Sequence, residues 1–216
     1  MADQTELMPG DTDILIVVDV QVDFLPGGAL AVPDGDAVIE PINRLAKRFR
    51  HVVLTQDWHP EGHASFASSH PAKQPFETTD LHYGPQVLWP DHCVQGTSGA
   101  EISRDIDIPH AQLVIRKGYN AGIDSYSGFK EADRQTSTGL AGYLKERGFH
   151  RVFCAGLALD FCVAWTALDA AESGFETYLI EDASRAIDTN GSLGKARQEL
   201  EAAGIHTIRS DQIADV

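Results

Sequence analysis

At 216 residues and 43% hydrophobic side chains, the chain is expected to fill one well-packed domain over 1–216. Its 17 basic and 32 acidic side chains leave a net charge of −15, which repels phosphate backbones and anionic lipid and argues against nucleic-acid or membrane partners. The 3 cysteines make poor disulfide arithmetic and suit a reducing, cytoplasmic setting; residues 1–6 have no basic or apolar leader character, and Asp160 and Asp169 interrupt the longest apolar stretch.

Taken in chain order, a first strand is predicted over 14–18, a helix over 36–48 and a second strand over 52–55. A third strand follows at 113–115, then a helix at 138–147 with Gly148 at its C-cap. The remaining elements are a strand at 152–155, a helix at 163–173 closed by Gly174, a strand at 177–180, a helix at 193–203 and a last strand at 207–208. The strands are apolar on consecutive rather than alternate residues, as strands buried on both faces must be. Strands alternating with helices give an α/β fold, a three-layer α/β/α stack around a mostly parallel sheet of roughly six strands. Two long irregular regions, 60–99 and 117–134, break the alternation. The stretch from Trp58 to His92 holds 5 of the 9 histidines and 2 of the 3 tryptophans, a composition that points to function rather than to a disordered linker.

Open α/β sheets bind ligands at the carboxyl ends of their strands, so the residues there are the candidates. The first strand ends at Asp19, the second at Asp57-Trp58-His59, the third at Lys117 and the fourth just before Cys162. Cys162 lies where a strand hands over to a helix. There the macrodipole and free backbone N–H groups are expected to lower the thiol pKa and to hold an oxyanion. Taken singly, Asp19 reads as a turn cap, Lys117 as a surface charge and Cys162 as core filling. Together they make a nucleophile, a carboxylate that takes its proton and passes it to leaving ammonia, and a cation that holds the carboxylate ionised. The rival thiol Cys93 sits in a loop with nothing obvious to activate it, and Cys154 lies inside a strand. A second constellation, Asp57, His59, His63 and His92, offers carboxylate and imidazole donors suited to Zn²⁺, Fe²⁺ or Mn²⁺.

The motifs Val17-Val-Asp19-Val-Gln-Val-Asp-Phe24 with Gly27-Gly28, Asp57-Trp-His-Pro-Glu-Gly-His63, Trp89-Pro-Asp-His-Cys-Val-Gln-Gly-Thr97, Lys117-Gly118 with Asp124-Ser-Tyr-Ser-Gly-Phe129, and Gly156-Leu-Ala-Leu-Asp-Phe-Cys-Val163 are kept in order and approximate spacing. In them the chain resembles the nicotinamidases of the isochorismatase-like cysteine hydrolase superfamily over essentially its whole length. The resemblance implies hydrolysis of nicotinamide to nicotinate and ammonia through a thioester, in NAD salvage, with pyrazinamide as a further substrate. It implies a triad of Asp19, Lys117 and Cys162, and an oxyanion hole from the N–H groups of Ala158 and Cys162, beside a cis peptide between Leu157 and Ala158. It implies one divalent transition metal, zinc first with iron or manganese as alternatives. Asp57, His59 and His92 would hold it, with His63 a further ligand or a support, to orient the pyridine ring. Phe24, Trp89, Leu157, Phe161 and Tyr126 would wall the pocket. Position 159 is leucine where threonine is common in the family, and Phe161 stands where histidine or tyrosine is frequent, which bears on substrate breadth. Assembly as a homo-oligomer is left open. The alternatives are an amidohydrolase of the same superfamily acting on a ureido or carbamoyl amide without metal, and a non-catalytic binding module, which would be expected to lack a triad member.

Overall fold

The central strand β1, Asp13–Val18, has all six residues buried, and its odd and even side chains enter two different cores. Leu15 and Val17 pack in one core with Val38, Ile42 and Leu45, whereas Ile14, Ile16 and Val18 pack in the other with Leu140, Leu144, Ala167 and Leu200. Both faces are therefore covered, which is why the strand is a run of consecutive apolar residues. The computed structural model describes residues 7–214; the leader reading of residues 1–6 lies outside them.

The other main-sheet strands are β2 (Val52–Asp57), β5 (Leu113–Lys117), β6 (Arg151–Leu157), β7 (Glu176–Arg185) and β8 (His206–Ile208), with a separate pair β3 (Thr78–Leu81) and β4 (Gly84–Val87). Helices are α1 (Ile39–Ala46), α2 (Leu140–Glu146), α3 (Ala164–Glu172) and α4 (Ser192–Ala202). The six-stranded sheet has the order β5-β2-β1-β6-β7-β8, and all its pairings are parallel. Residues of α1 join the first core, and residues of α2, α3 and α4 join the second, which gives the three expected layers. Gly148 and Gly174, with φ of 74° and 95°, adopt the left-handed conformation that closes α2 and α3.

Three differences from the sequence reading matter for the site. The strands β2, β5 and β6 run on to Asp57, Lys117 and Leu157, so these residues belong to the sheet rather than to loops. The helix predicted over 36–48 is shorter, a 3₁₀ turn at Gly35–Val38 leading into α1. The region 60–99 is not wholly irregular, because it contains the antiparallel pair β3–β4. That hairpin is polar and largely exposed, so it lacks the apolar run by which the other strands are recognised. No helix among the described residues is long and apolar enough to cross a membrane.

Candidate active site

The strand order reverses around β1, with β2 and β5 on one side and β6 on the other, so the carboxyl ends of four strands meet at the switch point. Asp57 and Lys117 are register partners on β2 and β5, which sets their side chains next to each other. Across β1, Val18 pairs with Gly156, whose φ of 130° suits glycine and whose missing side chain leaves room for the Val18 carbonyl oxygen. Asp19 follows in a left-handed conformation, φ 48°, that brings its carboxylate into the protein. Thr55 fixes it there: the Thr55 hydroxyl donates to Asp19 Oδ1 at 2.5 Å.

Lys117 is the hub of the site. Its fully buried ammonium lies 2.8 Å from Asp19 Oδ2, 2.5 Å from Asp57 Oδ1, 2.9 Å from the Ser125 carbonyl oxygen and 3.4 Å from Cys162 Sγ. The pairing with Asp57 is not visible in the sequence, where these residues stand in separate motifs. Between its carboxylates the Lys117 ammonium is held well above its usual pKa in spite of burial. Burial also penalises Asp57, but Lys117 and His59 outweigh it and hold the carboxyl well below its ordinary range. For Asp19 burial wins over Lys117, and its pKa rises.

Cys162 occupies one turn of π-helix, Leu159–Val163, that runs into α3, so the strand-to-helix junction is as expected. The expected lowering of its thiol pKa is not. Burial pushes it well up, and the charges of Asp19 and Asp57 add to this against the opposing Lys117. Ligand atoms of Asp19, Asp57 and Cys162 lie within 4.8 Å of one another, which brings a carboxylate within reach of the thiol. The Leu157–Ala158 peptide is cis, and Ala158 and Cys162 both line the cavity. Cys93 and Cys154 are buried thiols whose pKa values burial raises, that of Cys154 to about 12. Neither has the Lys117 contact.

Beside the thiol, Asp57 Oδ2 lies 3.6 Å from His59 Nε2 and 3.8 Å from His92 Nε2, a buried donor set that could hold a metal ion. The tautomers fit this use. His59 Nδ1 is 2.9 Å from the Gly118 carbonyl oxygen and His92 Nδ1 is 2.7 Å from that of Pro90. Each ring therefore donates through Nδ1 and turns its Nε2 toward Asp57, where that nitrogen can serve as a metal donor. Gln21 fixes the carboxylate's strand by accepting from the Asp57 N–H at 2.7 Å and donating to its carbonyl oxygen at 2.8 Å. His63 packs against His59 with ring centroids 4.4 Å apart and planes tilted by 42°. Its Nδ1 is 2.8 Å from Ser65 Oγ and its Nε2 is 3.0 Å from the Asn120 carbonyl oxygen, so both nitrogens already have protein partners.

One cavity is lined by Cys162 of the first constellation and by Asp57, His59 and His92 of the second, together with Ala158, Phe24, Trp89, Tyr126 and Phe161. Of the expected walls, Leu157 is the exception. It is fully buried in the first core, near Gly35, because β6 extends through it and turns its side chain away from the cavity. Leu30, Asp124 and Ile187 line the cavity without having been foreseen. Trp89 meets Phe161 edge to face at 4.9 Å, and its indole N–H donates to the Tyr126 hydroxyl at 3.0 Å. Gln86, on the unforeseen hairpin, donates to the same hydroxyl and to Asp124 Oδ2. Gln86 and Asp124 sit in stretches without periodicity, so only the fold could identify them.

Residues 13–212 match the description "Isochorismatase domain". A nicotinamidase of Acinetobacter baylyi is 60% identical over 199 residues, 92% of this chain and 93% of its own. The solved structure of an Acinetobacter baumannii nicotinamidase/pyrazinamidase superposes with a TM-score of 0.93 at 59% identity, covering 94% of this chain and 98% of the other. A Pyrococcus horikoshii pyrazinamidase in complex with zinc superposes with a TM-score of 0.75 at 38% identity, covering 92% and 99%.

Proposed function

The chain belongs to the isochorismatase family, and we propose that it hydrolyses nicotinamide to nicotinate and ammonia. The observation that carries this reading is that Cys162, linked to Asp19 through Lys117, shares one cavity walled by aromatic side chains with Asp57, His59 and His92. Curated relatives of this degree of likeness are nicotinamidases, so NAD salvage is the setting. Three free, buried cysteines accord with a reducing cytoplasm.

In this mechanism Asp19 takes the proton of Cys162 as Sγ attacks the carboxamide carbon. The N–H groups of Ala158 and Cys162 receive the oxyanion, whose charge builds only as the transition state is approached. Asp19 returns the proton to the leaving nitrogen, so ammonia departs and a thioester remains on Cys162. Asp19 then takes a proton from water attacking the thioester, and the thiol regains its proton as nicotinate forms. Lys117 keeps its charge throughout and stabilises Asp19 whenever that carboxylate is ionised.

Asp57, His59 and His92 would hold a divalent transition metal, for which zinc suits two imidazoles and a carboxylate best. When bound, it supplies a coordination position for the pyridine nitrogen and so orients the ring. Pyrazinamide keeps a nitrogen at that ring position and is a second substrate in this reading.

The test is ammonia release from nicotinamide by purified protein, with and without chelator. Stripping the metal is expected to raise KM for nicotinamide strongly, since orientation is what is lost. Benzamide, lacking the ring nitrogen, is expected to bind poorly even to metal-loaded protein. Full activity in chelator, with no stoichiometric metal by elemental analysis, would transfer the reading to a metal-free amidohydrolase. Asp19→Asn is expected to lower kcat by about 10²–10⁴-fold with little change in the binding of nicotinate, because proton transfer follows binding. Steady-state kinetics beside nicotinate titration check this.

A further inference from the structure

The first loop carries three polar side chains at alternate positions, Asp19, Gln21 and Asp23. Asp19 faces the thiol and Gln21 clamps the backbone of Asp57. Asp23 reaches in the other direction. Its Oδ2 accepts the backbone N–H of Cys93 at 2.7 Å, across 70 residues of sequence, and its Oδ1 accepts that of Ala29 at 3.2 Å.

Cys93 is the residue after His92 and sits in the left-handed region, φ 46°, where a side-chain-bearing residue stays only if its surroundings hold it. The opposite end of the Cys93 residue is held as well, since its carbonyl oxygen accepts the His59 N–H at 3.0 Å. Cys93 therefore bridges Asp23 to the backbone of one imidazole donor, with the second donor, His92, immediately before it. Phe24, next to Asp23, packs its ring 5.5 Å from that of His92. Space is reserved for this arrangement: a side chain at Gly99 would collide with the Asp23 carboxylate, and one at Gly28 with the Asp23 backbone.

We infer that Asp23 is a positioning residue for the metal: by fixing the Cys93 N–H it sets the strained turn that aims His92 Nε2 at Asp57. This rests on the metal-site reading above. It gives the Asp-x-Gln-x-Asp pattern one consistent task, in which position 19 does chemistry and positions 21 and 23 each hold the backbone at or beside a metal donor. Outer hydrogen bonds of this kind, when removed, cost about 10–100-fold in metal affinity.

The test is Zn²⁺ affinity by competition with a chromophoric chelator, read without substrate. Asp23→Ala is expected to weaken binding about 10–100-fold. Asp23→Asn, whose amide oxygen can still accept the Cys93 N–H, is expected to recover most of the loss. Asp23→Ser, too short to span the gap, is the second variant should the alanine form not fold, and the same loss is expected of it. A purely structural role would weaken zinc binding whatever the state of His92. Here Asp23→Ala is expected to change affinity little once His92→Ala is already present, because its effect passes through that ring. Wild-type affinity in folded Asp23→Ala or Asp23→Ser, or equal losses in both backgrounds, would overturn the inference while leaving the metal reading standing. A wild-type protein that binds no zinc would overturn both.

Discussion

Cys162→Ala is expected to lower amide hydrolysis by about four orders of magnitude or more while the protein still folds and binds nicotinate. Without Sγ no thioester forms, and the remaining groups can only assist direct attack by water, which explains the size of the loss. Folding should survive because the side chain removed is small, and alanine fits among Val163, Ala164 and Leu159 in the second core. Cys93→Ala is the control, since that thiol is fully buried and lacks a lysine contact. Turnover of nicotinamide, with far-UV circular dichroism and nicotinate titration on both variants, checks this. Near-normal turnover in Cys162→Ala, with loss in Cys93→Ala, would reassign the nucleophile.

Lys117→Met is expected to damage stability and activity together. One ammonium, with no solvent exposure, lies within 2.8 Å of two carboxylates that are themselves almost wholly buried. Methionine fills a similar volume but leaves Asp19 and Asp57 facing each other without a cation. Breaking a buried charge cluster by removing one partner typically costs about 3–5 kcal/mol. The catalytic loss should be large as well, because the charge that stabilises ionised Asp19 disappears as the thiol proton must be taken. Adding Asp19→Asn to Lys117→Met removes one of the stranded charges. The double variant is expected to regain part of the stability and none of the activity. Urea unfolding of the single and double variants, with metal-free protein throughout, measures the coupling. A Lys117→Met protein as stable as wild type would mean that the two carboxylates are not held by this cation.

Much of this architecture was legible in the chain alone, and for local reasons. Consecutive apolar residues in 14–18 and 152–155 encode burial on both faces, hence a parallel sheet covered by helices. Gly148 and Gly174 marked helix ends because left-handed backbone is cheap only for glycine. Asp19, Asp57, Lys117 and Cys162 could be singled out because strand ends are recognisable and sheets of this class gather ligands there.

What only the tertiary structure decided depends on which distant segments touch. Lys117 serves Asp57 as well as Asp19 because β2 and β5 pair in one particular register, and register is not written in either segment by itself. The direction of the Cys162 pKa shift depends on distant segments in the same way. The thiol's place before a helix pointed to a lowered pKa, but burial beside two carboxylates outweighs the lysine and raises it. Leu157 turns away from the cavity because its strand runs two residues further than its apolar pattern shows. Gln86, Asp124 and Asp23 carry no periodic signal, and they matter through hydrogen bonds to residues 38, 40 and 70 positions away. The sequence by itself determined the layers and the residue types at the strand ends, because burial and turn geometry are local properties; the fold alone decided how those groups share protons, charge and anchoring bonds, because these depend on contacts across the chain.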